Sequence, residues 1–383
     1  MPTTGACEQE RLAGMLQLKR LGFEVRVISK VFDWQNKEEI IKWGDDNTIV
    51  IDLLEYEFAK GGTQKITKFL NPSNWDGAAY EYKLSNTHNR VKEIADQFKP
   101  DVAWFDYTYL WPLYDLFQQK NIPIITRSIN FEPSHFLQED GKSLVNLLKY
   151  MPKYLSELKV VKKSDYIFAI TPHEEKLYRK LGTKNVATLP LRSLPNILKE
   201  YRETKERDVL HLFFMGASYT VHHNRKAAEL IIKHIAPEVE RQAPGKFLFH
   251  ILGKKLPEDL AKLCHSNIKE EGFVRDLSSF LEEFDIAVIP SLMGAGMQQK
   301  IFEPLVRGIP TITSARGLAE YPYKDNEHVL FAQGKDEFVE RILRLQTVAL
   351  RRTLSKNALH LSQELFSQEK LDTIVREGID FAS

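Results

Sequence analysis

The sequence predicts an α/β protein built from two doubly wound, parallel-sheet halves. Three observations predict it. Short apolar runs of strand length alternate with helical patterns along nearly the whole chain, the signature of parallel α/β architecture. A charged stretch, Thr204–Asp208, suits a linker, and the alternation repeats on its far side. The segment Asp285–Gly317, DIAVIPSLMGAGMQQKIFEPLVRGIPTITSARG, reads as a buried strand, a glycine loop, a short helix and a second buried strand.

In the first half a helix over Glu8–Leu21 ends at Gly22, a C-cap. Strands are expected at Glu24–Ser29, Thr48–Leu53, Val102–Phe105, Ile122–Arg127, Tyr166–Thr171 and Val186–Leu189. Asp45–Asn86 is aromatic, polar and irregular, and reads as loops with short helices. Pro2-Thr3-Thr4-Gly5-Ala6 looks like the glycine turn that follows the first strand of a doubly wound domain, yet no strand precedes it. That strand commonly lies mid-sheet, where its loss leaves backbone groups of both neighbours unpaired. An N-terminal truncation is therefore expected, with an abnormal first domain as the alternative. Leu144–Lys163 is apolar and lysine-rich. It reads either as an amphipathic surface for anionic lipid or as a helical hairpin broken at Pro152. Trp104–Phe117 reads as core or as a surface that stacks on sugar rings.

In the second half, strands are expected at Val209–Met215, Phe247–Leu252, Ile268–Phe273, Ile286–Pro290, Thr311–Thr313 and His328–Phe331. Helices are expected at Asn224–Ala243, Pro257–Cys264, Val274–Glu283 and Lys335–Gln346, with a last one over Leu361–Phe381.

Composition narrows the function. The 383 residues are enough for two or three domains with real cores. Apolar content of 43% and charged content of 27% are those of a soluble globular chain. A net charge of +1 argues against a bulk nucleic-acid binder, which needs a basic excess or a strongly basic face. Cys7 and Cys264 match no zinc or redox spacing, and a reduced, cytoplasmic protein is expected. No run approaches the about 20 apolar residues of a membrane span, and MPTTGACEQE lacks a signal-peptide core.

The chemistry concentrates in the 285–317 unit. Two glycines, Gly294 and Gly296, let the backbone turn sharply and approach a ligand. A helix opening near Met297 presents N–H groups and partial positive charge, which attract anions and diphosphate above all. Glu303 adds an acceptor-only carboxylate suited to paired sugar hydroxyls. The unit points to a nucleotide-diphosphate site. On these residues alone the bland alternative stays open: a ligand-free unit in which Lys300 and Glu303 form a surface pair.

The order and spacing of several segments resemble the GT-B glycosyltransferases, and more closely the retaining family 4 enzymes. The segments are PTTGACEQERLAGMLQLKRLGFEVRVIS, PDVAWFDY, IPIITRSINFE, KKSDYIFAITPHEEKLYRKLG, LFFMGASYTVHHNRKAAELIIKHIAPEV and KEEGFVRDLSSFLEEFDIAVIPS. The resemblance covers nearly the whole chain. It implies an acceptor-side Rossmann-like domain over 1–203, a donor domain over 204–360, and a C-terminal helix in 361–383 that crosses back to the first domain. It also implies two doubly wound domains facing a cleft, and transfer of a hexose with retention, without metal or cofactor.

Residue roles carry over by position. Glu303 matches the second glutamate of the family's glutamate–seven–glutamate motif and is expected to hold the ribose. The first glutamate falls at Ala295, a departure that puts the donor sugar in doubt. Gly294, Ala295, Gly296 and Met297 are expected to offer backbone N–H groups instead. Gly216 matches the donor-domain glycine, but the family's arginine and lysine positions hold Ala217 and His223. His222, Arg225, Lys226 and Lys300 are the substitutes; Arg225 and Lys300 are expected at the donor site, and Lys300 is the first choice of catalytic cation. Phe273 and Val274 are expected to border the base. Gly5, Asn130 and Glu132 fall on the acceptor side, with Glu132 a second catalytic candidate or a helix cap. Ile129 stands where the family usually has a histidine. Pro304, costly by about 3 kcal/mol inside a helix, suggests a kink or early break.

Two functions follow. The first is a glycosyltransferase acting on a glycan, lipid or small-molecule acceptor, with a peripheral membrane contact through 144–163 as one option. The second is a non-catalytic nucleotide-sugar binder that partners an active transferase, which Ala295 and Ile129 favour. A nicotinamide-dependent dehydrogenase fails for want of a G-x-G-x-x-G turn after a strand.

Overall fold

The computed structural model describes residues 6–33, 35–56, 74–140 and 143–383, and for Ala6, Cys7 and residues 138–140 the backbone alone. Gly5, an expected acceptor-side residue, lies outside them. The chain forms two compact units, Met1–Ser193 with Leu371–Ser383, and Leu194–Lys370. The charged stretch Thr204–Asp208 thus lies within the second unit.

The first unit holds β1 (Arg26–Val31), β2 (Val50–Glu55), β3 (Ala103–Phe105), β4 (Ile124–Ser128), β5 (Tyr166–Ala169) and β6 (Val186–Thr188). β1 and β2 pair in parallel, and β3-β4-β5-β6 form a separate four-stranded parallel sheet. Every residue of β4 is buried, as a strand covered by helices on both faces requires. Phe105, Trp111, Leu113, Tyr114 and Phe117 belong to this unit's core, so most of the aromatic run Trp104–Phe117 is packing. Leu144–Lys163 is one continuous helix; the hairpin expected at Pro152 does not form. Pro152 frees the carbonyl of Leu148, which lies in an exposed turn where water can serve it.

The second unit holds β7 (Leu210–Ser218), β8 (Phe247–Lys254), β9 (Ile268–Gly272), β10 (Ile286–Ile289), β11 (Thr311–Thr313) and β12 (Leu330–Phe331). They form one six-stranded parallel sheet in the order β12-β11-β10-β7-β8-β9. This is the doubly wound order, and its switch point lies between β7 and β10, where such sheets bind ligands at their carboxyl ends.

Two of the expected helices are divided. Asn224–Ala243 is a composite of His222–Leu230, a π-turn at Ile231–Ile235, and Ala236–Gln242. The π-turn ends two residues before Pro237, which has no N–H for the carbonyl of Lys233. The single helix expected over Leu361–Phe381 is two, Val348–Phe366 and Gln368–Ala382. They part at Ser367, whose extended backbone (φ −60°, ψ 152°) ends the first. Its Oγ accepts from the backbone N–H of Lys370 at the start of the second.

Candidate functional site

The carboxyl ends of β7 and β10 bring most of the predicted second-unit residues together. β7 bulges between Met215 and Ser218, and Gly216 sits in the bulge. A Cβ on Gly216 would lie 3.1 Å from the Tyr219 ring and 3.3 Å from Asn224. Beside it Gly253 has φ +138°, and a Cβ there would meet the carbonyl oxygen of Gly216. Tyr219 Oη closes the same corner by donating to the carbonyl of Leu252 at 2.7 Å.

After β10 the loop turns at Gly294 (φ +100°) and Gly296 (φ +69°), conformations that favour glycine. The motif helix runs Gln299–Val306, two residues later than expected, because Gln298 is extended (φ −80°, ψ 103°). The Gln298 side chain ties the loop, donating to Ser291 Oγ (3.1 Å) and to the carbonyl of Met293 (3.3 Å). Pro304 leaves the helix intact for only two further residues. The Met297 side chain is buried and Ala295 is half-buried.

Lys300 and Glu303 are not a surface pair. Lys300 Nζ donates to Asn224 Oδ1 at 2.9 Å, and its ammonium lies 5.8 Å from the centre of the Phe214 ring. Asn224 in turn donates to the carbonyl of Ser218 at 3.1 Å. Lys300 is therefore held against the Gly216 corner. Glu303, 4% exposed, accepts from Arg307 Nη2 (3.0 Å) and Nε (3.2 Å) on one oxygen, and from Gln299 Nε2 (3.1 Å) on the other. Arg307 also donates to Ser278 Oγ at 3.1 Å. That bond links Glu303 to the helix Leu277–Leu281, just beyond Phe273 and Val274.

Phe273 is exposed, with Lys254 Nζ 4.1 Å from its ring centre. Arg225, expected at the donor site, instead pairs with Asp259 at 3.1 Å on an exposed surface. Lys254, Asn224, Arg307 and Arg316 were missed in the sequence. Arg316 donates to the carbonyl of Gly294 at 3.1 Å, and burial lowers its pKa. Its signal was a cation just past a strand that neighbours the switch point. The loops after β7 and β10, with Lys300, Arg316 and the motif-helix N-terminus, form an electropositive rim suited to a polyphosphate.

In the first unit, Asn130 and Glu132 follow β4. Glu132 opens the helix Glu132–Asp140, and its carboxylate lies 3.7 Å from Lys153 Nζ. Burial raises its pKa while Lys153 pulls the other way. Ile129 is buried and His135 is half-buried. Among the described residues, no group of three or more His, Cys, Asp or Glu side chains is placed to hold a metal ion. No helix of the described residues is long and apolar enough to cross a membrane.

Residues 210–347 match the family model described as Glycosyl transferases group 1. No curated protein matches the chain. Among solved structures the chain resembles HepE of Anabaena, in complex with UDP and glucose. That likeness has TM-score 0.67 and 11% identity, and covers 99% of this chain and 97% of that one. It also resembles sucrose-phosphate synthase of Thermosynechococcus elongatus, with TM-score 0.68 and 15% identity, over 98% and 93%. A third likeness is to S. aureus TarM in complex with fondaparinux, alpha-GlcNAc-glycerol and UDP. There TM-score is 0.57 and identity 15%, over 81% of this chain and 59% of that one. The sheet order of the second unit and these likenesses agree on a chain of GT-B fold, within which residues 210–347 match the glycosyl transferases group 1 model.

Proposed function

We propose that this protein transfers a hexose from a nucleotide-diphosphate sugar to a glycan, lipid or small-molecule acceptor, with retention and without a metal or cofactor. The observation that carries the reading is the rim at the carboxyl ends of β7 and β10. There the Gly294–Met297 loop and Lys300 would face the diphosphate, and Glu303 would reach the ribose. As the glycosidic bond breaks, negative charge grows on the leaving diphosphate, and fixed N–H dipoles and a held cation stabilise it. Phe273 and Val274 would border the base. Asn130 and Glu132 would serve the acceptor, and the two units, which part after Ser193 and after Lys370, would separate the two roles. UDP, present in the HepE and TarM complexes, is the first nucleotide to try. The test is calorimetry and turnover across a panel of UDP-, ADP- and GDP-sugars. Binding of none would overturn the reading.

Ala295 and Ile129 favour a second reading, a nucleotide-sugar binder without turnover. Binding with no transfer across broad donor and acceptor panels would select it. A peripheral membrane contact is proposed through the helix Leu144–Lys163. Leu144, Val145, Leu147, Leu148 and Met151 are exposed on it, with Lys149 beside them. Exposed apolar side chains edged by lysines fit an anionic lipid surface.

A further inference from the structure

Three consecutive residues after β4 have their backbone held by side chains of the first unit. Ser128 Oγ donates to the carbonyl of Asn130 at 3.0 Å. The N–H of Phe131 donates to Glu174 Oε1 at 2.9 Å, and the N–H of Glu132 to Glu157 Oε1 at 3.3 Å. Tyr178 Oη lies between Ser128 Oγ (2.8 Å) and Glu157 Oε2 (2.7 Å), and Thr108 Oγ1 donates to Glu157 Oε1 at 2.8 Å. Glu157, Glu174 and Tyr178 are essentially inaccessible to water.

We infer that Glu157 and Glu174 are positioning residues for the Asn130–Glu132 loop, and that they hold it in their protonated form. The inference rests on the reading that this loop serves the acceptor. Two buried carboxyl groups that repel each other, with no ion pair to either among the described residues, cannot both ionise cheaply. The charged and titratable groups that face them are few. Asp76, Glu132 and Lys153 cluster on one side, with Lys153 Nζ 3.8 Å from Asp76 and 3.7 Å from Glu132. His135 acts on Glu132, Arg127 acts on Glu174, and Tyr178 is shared. Lys153 is thus taken up by other acids. Burial, first of all, raises the Glu157 and Glu174 carboxyls to about 8.

Protonation also completes the hydrogen-bond chain. Glu157 then donates to Tyr178, Tyr178 to Ser128, and Ser128 to the carbonyl of Asn130. When Glu157 ionises, Tyr178 turns its proton to the carboxylate and Ser128 loses a donor. Ionisation in place strengthens the two N–H bonds, so the loss comes through opening. When the loop lifts, water reaches Glu157 and Glu174, they ionise there at lower pH, and rising pH draws the loop open.

The test uses the full-length chain and amide hydrogen exchange over 129–135, corrected for intrinsic rates, from pH 6 to 9. In the wild type, protection at Phe131 and Glu132 should fall at least tenfold across that range. Glu157→Gln, which mimics the neutral acid, should keep its protection at high pH. Glu157→Leu and Glu174→Leu should lose it already at pH 6, with amides of β4 and β5 and UDP affinity unchanged. Leu variants that fold with unaltered loop protection would overturn the proposal, and so would a Glu157→Gln protein that follows the wild-type pH loss. If the Leu variants fail to fold, the pH comparison of wild type with Glu157→Gln still decides. None of these readouts needs turnover, so a protein that transfers no sugar refutes the transferase reading and leaves this one to its own result.

Discussion

Arg307 grips Glu303 from one turn further along the same helix, placing Nη2 and Nε 3.0 and 3.2 Å from one carboxylate oxygen. Both side chains are buried, so a substitution at Glu303 acts on stability as well as on ligand. Glu303→Gln keeps an oxygen for Arg307 and should weaken nucleotide binding about 10- to 150-fold, the worth of one charge-assisted hydrogen bond. Glu303→Ala should also strip the buried Arg307 guanidinium of its close carboxylate and leave it chiefly the Ser278 hydroxyl, at a cost of about 3 kcal/mol. Calorimetry alongside thermal melting separates the two effects; unchanged affinity in a folded Glu303→Ala protein would sink the ribose role.

Gly253 tests the corner it forms with Gly216. A Cβ there would stand 1.9 Å from the carbonyl oxygen of Gly216, at a φ that side chains rarely adopt. Gly253→Ala should cost more than about 3 kcal/mol, beyond ordinary overpacking, because backbone has to move. Urea unfolding followed through the second unit measures it. A wild-type midpoint would mean the strand ends are not packed as described.

Ala295 lies in the loop between the two positive-φ glycines. Ala295→Glu should change the relative preference among donor sugars more than the affinity for free nucleotide. Equal effects on every donor and on UDP alone would show that residue 295 does not face the sugar.

Protonation of Glu157 and Glu174 gives stability a pH signature. Their folded pKa values, about 8, lie above the unfolded value near 4.3. Between those limits the folded state binds more protons than the unfolded one, so stability falls as pH rises and levels off above about 8. Melting curves between pH 5 and 8.5 should slope downward. Glu157→Gln should flatten them, and an identical slope in the variant would assign the effect elsewhere.

The exposed face of the helix Leu144–Lys163 makes its own prediction. Leu148→Asp with Met151→Asp should weaken binding to phosphatidylglycerol vesicles by more than about tenfold, since each lost apolar side chain is worth about 1.5–3 kcal/mol of burial. Sedimentation with the vesicles reads this out. Equal pelleting of variant and wild type would remove the lipid contact.

How far these features were legible depends on the reach of the interactions involved. All twelve strands of the described residues overlap the expected runs. A strand buried on both faces, such as β10, is apolar throughout its length, whereas β1, β2 and β9 are partly exposed and carry charged residues. The glycine loop was legible for a similar local reason: only glycine fits φ +100° and +69° comfortably. Arg307 was not, since an i, i+4 pair on a helix looks the same whether solvated or buried. Asn224 lies 76 positions from Lys300, and no local pattern announces such a bond. Pro152 misled because the rule against proline in helices presumes that the freed carbonyl is buried. The Glu157–Glu174 pair stayed hidden for the opposite reason. Glu157 lies in the lysine-rich stretch Leu144–Lys163, and only burial makes it and Glu174 unusual.

The second unit is one uninterrupted stretch of chain, whereas the first is assembled from two pieces separated by all of it. Leu371, Val375 and Ile379 share a core cluster with Ile125, Phe168 and Leu189, and a Cβ on Gly378 would lie 2.3 Å from the Phe168 ring. As the chain is synthesised from its N-terminus, the later-made unit has all its parts first. The earlier-made unit must wait with that cluster open until the last helix emerges. A chain stopped near residue 366 should therefore expose Phe168 and its neighbours, making the first unit the one that needs a chaperone's cover.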